Sequence, residues 1–91
     1  MINKNISIKL TNHAQAKINQ RNISLDDIKD VVLNPESTEL DKFDNSLVHF
    51  LSQKTGRFLR VIGRWKSEKD LLIISAFFDR RLLKGGKNDK N

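Results

Sequence analysis

The chain has 91 residues, 37% of them hydrophobic, with one proline, four glycines and no cysteine. That bounds it to one small globular domain with a thin core and excludes both a disulfide framework and a thiolate metal site. Its net charge of +6 favours an anionic partner, nucleic acid or an acidic protein, over a solvated surface alone.

Two histidines without cysteine, and carboxylates gathered at one helix start and in one loop, do not make a zinc site. No metal and no cofactor is expected. No run approaches the roughly 20 apolar residues of a membrane span. MINKNISIKL lacks the apolar core of a secretory signal, so the expectation is a cytoplasmic protein with no membrane partner.

In chain order, Asn5–Leu10 alternates, with Ile6, Ile8 and Leu10 on one side, the period of a half-buried strand. A helix follows over about Asn12 to Arg21, capped by Thr11 or Asn12. Ala14 and Ile18 form its apolar stripe, and His13, Lys17 and Arg21 form a ridge four residues apart. Asn22 stands where a left-handed residue ends a helix. Ser24 then caps a second helix, Leu25 to Leu33, whose apolar side reads Leu25, Ile28, Val31 and Val32. Ile23 and Ile28 have the spacing of a hydrophobic staple, and Asn34-Pro35 is a stop.

Glu36–Asn45 reads as a polar connection. Ser46–Gln53 alternates Val48 and Phe50 against Leu47, His49 and Leu51. Lys54-Thr55-Gly56 is a hairpin signal. Arg57–Trp65 places Phe58, Arg60, Ile62 and Arg64 on one face and Leu59, Val61, Gly63 and Trp65 on the other. After a second turn, Leu71–Phe78 is nearly all apolar and reads as a central strand covered on both faces. The predicted class is α+β: an N-terminal strand, two short helices, then a three-stranded antiparallel meander with the helices on one face. Residues 1–81 form the domain, and 82–91 form a basic tail expected to fray.

His13-Ala14, a basic residue at 17, Arg21, Ile23-Ser24 and the Asn34-Pro35 stop resemble a bacterial family of small domains of unknown function. Its pattern is H-A-x-x-R-x-x-x-R-G-I-S, followed by an Asn-Pro or Asp-Pro stop and a three-stranded sheet. Here Lys17 replaces the usual arginine and Asn22 the usual glycine. The layout is similar to BrnT toxins and, more distantly, to RelE-like ribonuclease toxins. The resemblance, over roughly Ile8 to Arg81, implies a toxin of a toxin–antitoxin or mobile-element system, with RNA as substrate and an acidic antitoxin as partner.

The residue types suit that chemistry. RNA cleavage without metal needs a base for the 2′-hydroxyl, an acid for the 5′ oxygen and fixed cations for the phosphorane. Histidine serves the proton roles, and arginine grips phosphate through two hydrogen bonds. Within the basic set that remains, the resemblance implies His13, Lys17, Arg21 and Arg60 as the catalytic residues, and Arg64, His49, Arg80 and Arg81 are the expected nucleic-acid contacts. Arg57–Lys66 carries four cations and no anion, and Asp79–Asn91 carries five cations and two anions. A non-catalytic module that holds nucleic acid or an acidic protein is the alternative, with a purely protein-binding domain third. In either case His13 and Lys17 are helix-surface residues, Arg21 pairs with Asp26 or Asp30, and Trp65 is core.

Overall fold

The computed structural model describes residues 5–80, so the basic tail and Arg81 lie outside the described residues. Seven elements follow one another: β1 (Ser7–Leu10), α1 (Asn12–Gln20), α2 (Leu25–Leu33), β2 (Ser37–Leu40), β3 (Leu47–Lys54), β4 (Arg57–Ser67) and β5 (Asp70–Phe78). The class is α+β, with one five-stranded sheet in the order β1-β5-β4-β3-β2.

The helical hairpin is built by its caps. Thr11 Oγ1 accepts from the Ala14 amide at 3.0 Å and starts α1. At the other end the Ile23 amide donates to the Ile18 carbonyl and the Asn22 amide to that of Asn19. That double closure requires a left-handed residue, and Asn22 has φ 56°. Ser24 Oγ then accepts from the Asp27 amide at 3.0 Å, and Ile23 and Ile28 are both buried across the cap.

Ala14, Ile18, Ile23, Ile28, Val31 and Val32 pack on Phe50, Leu59, Val61, Leu71, Ile73 and Ala76 of the sheet. Trp65, Ile6, Ile8 and Leu10 close the margins of this core. A Lys54–Asp30 ion pair ties the end of β3 to α2. The β3–β4 loop has only Thr55 and Gly56, both at positive φ, the two-residue geometry that matches strand twist. At Gly63 the β4–β5 register shifts, and an added Cβ there would meet Leu71 Cδ1 at 3.0 Å and the Leu72 carbonyl at 3.2 Å.

Four expectations are corrected. Four strands, not three, follow the helices, because Ser37–Leu40 pairs with β3 inside the stretch read as a connection. With one apolar residue in four and all four exposed, this edge strand has no hydrophobic alternation to detect. The sheet is mixed, since β1 runs parallel to β5. β5 is interior, between β1 and β4, but it is not covered on both faces, since Leu72, Ile74 and Phe77 are only half-buried. Leu25 remains 42% exposed, because the buried side of α2 starts at Ile28.

Asn22→Val is expected to cost about 1–2 kcal/mol, as a β-branched residue is strained at positive φ, while Asn22→Gly leaves stability unchanged or slightly higher. Urea unfolding of the two variants checks both signs. Ser24→Ala is expected to lose about 1 kcal/mol with its cap, read from the same curves.

Candidate functional site

The sheet has two unlike faces. Helices cover the face that carries Leu59 and Val61, so alternation turns Arg60, Ile62 and Arg64 to the opposite, open face. There Arg60 is only 7% exposed, opposite Leu51 on β3 and Phe77 on β5. A cation in such surroundings needs partners, and it has three. Its Nε donates to Asp79 Oδ2 at 2.8 Å, its Nη1 contacts His49 Nδ1 at 2.7 Å, and Nη1 also reaches Glu39 Oε2 at 3.4 Å.

A guanidinium only donates, so His49 accepts at Nδ1 and carries its proton on Nε2. That nitrogen faces Asp41 Oδ1 at 2.7 Å. Asp41, His49, Arg60 and Asp79 thus form a hydrogen-bonded line running from the loop after β2 to the end of β5. With Glu39 and Lys42 they line an open cleft of about 520 Å³. Leu40 and Phe43, 60% and 95% exposed, complete its lining.

The cleft brings together a carboxylate–imidazole pair and a clamped guanidinium. The His49 N–H holds the Asp41 carboxyl below its ordinary value, and the Phe43 and Asp44 amides act in the same direction. Asp79 and Arg60 are both buried, and their pairing anchors the guanidinium while Glu39, 55% exposed at its side chain, holds it most loosely. Among the described residues no three His, Cys, Asp or Glu side chains are grouped as a metal ion requires, and no helix is long and apolar enough to cross a membrane.

The expected catalytic set divides between the two faces. His13 and Lys17 stand on α1, on the helix side, with His13 exposed and Lys17 half-buried. Arg60 is on the other side of the sheet, so a site joining it to His13 and Lys17 is not formed. Arg21 pairs with neither Asp26 nor Asp30; its Nη1 donates to the Ala76 carbonyl at 2.8 Å, and Asp30 takes Lys54. Arg64 shares the open face and contacts Asp44 at 3.4 Å. Arg80 is exposed just beyond β5.

His49 and Arg60 are neighbours through the β3–β4 register, one step apart diagonally. Glu39, Asp41 and Lys42 escaped the sequence reading because they belong to the unrecognised edge strand and its loop. The signal for a carboxylate partner was the arginine itself, buried on a strand and so obliged to pair.

Residues 10–78 match a family described as a domain of unknown function (DUF4258). No curated protein and no solved structure matches the chain.

Asp41 has a depressed carboxyl, so its share of stability is present above the unfolded value near 3.8 and is lost as pH falls through the lower folded value. The stability gap between the parent and Asp41→Asn is therefore expected to be widest near neutral pH and to shrink below pH 3.8. Urea unfolding across that range measures it, and a constant gap would assign Asp41 a purely steric role.

Proposed function

The chain belongs to the DUF4258 family, and on that premise we propose that it is a metal-independent endoribonuclease of the toxin type, acting at the open-face cleft. The observation that carries this reading is the line Asp41–His49–Arg60–Asp79, which holds an imidazole and a guanidinium 2.7 Å apart in one cleft. The resemblance of the sequence motif to BrnT and RelE-like toxins is the ground for proposing the same class, with an acidic antitoxin as partner.

In this reading Arg60, anchored by Asp79, grips the scissile phosphate by exchanging its loose contact with Glu39 for a phosphate oxygen. Its Nη1 turns toward the phosphate and releases His49 Nδ1. That nitrogen takes the 2′-hydroxyl proton, Asp41 stabilises the imidazolium, and the 2′ oxygen attacks phosphorus. The bond from phosphorus to the 5′ oxygen breaks, and the departing oxygen regains a proton from the imidazolium or from water. Clamp and base are thus engaged together.

A specific observation favours the second reading, a binding module without catalysis: His49 and Arg60 are already paired with protein groups, as in a static scaffold.

The purified chain is expected to cut single-stranded RNA in EDTA, leaving a 2′,3′-cyclic phosphate and a 5′-hydroxyl. His49→Asn, which keeps an acceptor for Arg60 but no titratable ring, is expected to lower the rate by about 10²–10⁴. His13→Ala serves as the contrast: if it, and not His49→Asn, abolishes cleavage, the chemistry belongs to the α1 ridge. Absence of cleavage by the folded parent protein leaves the binding-module reading.

A further inference from the structure

A second cleft, of about 400 Å³, lies at the end of the sheet where α1 finishes. It is lined by Arg21, Arg57, Phe77, Phe78 and Arg80, with no carboxylate among them. Two of its three cations are held by the protein, and the third, Arg80, is exposed. Arg21 is held by its bond to the Ala76 carbonyl, and the Arg57 guanidinium lies 3.7 Å from the centre of the Phe78 ring, the geometry of a cation–π contact.

Among the described residues, the other two arginines each face a carboxylate: Arg60 has Asp79 and Glu39, and Arg64 has Asp44. Arg21, Arg57 and Arg80 have none. Three guanidinium groups round one cavity repel one another unless an anion joins them, and arginine's planar fork suits phosphate oxygens above other anions. The adjoining phenyl rings add a surface on which an unpaired base stacks. A phosphate flanked by a stackable base is the repeating unit of a single strand.

The end of β5 connects this cleft to the other. Phe77 pairs with Arg60 across the β4–β5 ladder, and Asp79 is bonded to Arg60. Phe77 itself lines the arginine cleft, together with Phe78 and Arg80. We infer that the Arg21–Arg57–Arg80 cleft is a phosphate subsite, holding a backbone phosphate of the single-stranded RNA a short distance from the cleavage position. This rests on the ribonuclease reading for its substrate, but not on any catalytic step. The subsite sets affinity and the path of the strand round the sheet end.

The test separates binding from cleavage. A fluorescent single-stranded RNA, 2′-O-methylated throughout so that it cannot be cut by 2′-oxygen attack, is titrated at several salt concentrations by anisotropy. The proteins are the parent, Arg80→Gln, Arg57→Gln and the double variant, with thermal melts to establish folding. Each single variant is expected to bind about 3- to 10-fold more weakly and to lower the salt slope by about 0.7, one single-strand phosphate. Arg57→Lys keeps the charge but not the fork and recovers only part of the loss.

Parent-like affinity and slope in the folded double variant would overturn the subsite, as would failure of the parent to bind the methylated strand. If the Arg57→Gln melt shows misfolding, exposed Arg80 decides alone by the same two readouts. Cleavage of the unmodified RNA is scored separately. Binding that follows the arginines without any cleavage removes the nuclease reading and keeps the subsite; cleavage and binding indifferent to them do the reverse.

Discussion

A guanidinium taken out of water has to be met by negative charge, and the open face is arranged around that requirement at Arg60. Leu51 and Phe77 flank it across the sheet, so the charge sits where its field is weakly screened. Asp79, itself buried, answers it. Deleting either partner would strand the other, a loss of about 3–5 kcal/mol for buried pairs in general. The same guanidinium reaches His49 and Glu39, so one side chain joins β2, β3 and β4 to the residue that follows β5. The edge strand depends on polar contacts of this kind, since its own residues are exposed. Glu36, just before it, likewise accepts from Ser52 and the Gln53 amide.

The sheet therefore separates two kinds of physics. On the helix face, apolar area leaves water and the contacts are non-directional. On the open face, position is set by directional bonds between charged groups, each of which fixes the next. A chain this small has little apolar area to invest in both faces. Polar bonding does the organising where the core does not reach, and that is also where chemistry on an anionic substrate has donors and acceptors to use.

Much of the helical hairpin was legible because its signals are local. A serine cap, an asparagine at positive φ and two isoleucines across the cap each act within five residues, and the structure has all of them. The two faces of β4 were legible from alternation alone. What was not legible depended on partners distant in sequence. Ser37–Leu40 becomes a strand because β3 offers it an edge, and nothing in Ser-Thr-Glu-Leu announces that. Residue types likewise suggested joining His13 to Arg60, but only the order of layers could reveal a sheet between them. Asp79 gains its meaning from an arginine 19 residues before it, and Asp41 only through the histidine that this arginine also contacts.

The parallel pairing of β1 with β5 also governs how the chain reaches this state. Ser7 lies opposite Asp70, so the two strands meet only after the whole intervening sequence has been laid out. The helical hairpin and the β3–β4–β5 hairpins close over short loops and gain contacts early. The β1–β5 ladder closes the longest loop, whose entropic cost is met before its bonds reward it. On a nascent chain β1 is synthesised before the β5 strand with which it pairs. Until β5 is in place, Ile6, Ile8 and Leu10 lack the core margin that they pack against in the folded state.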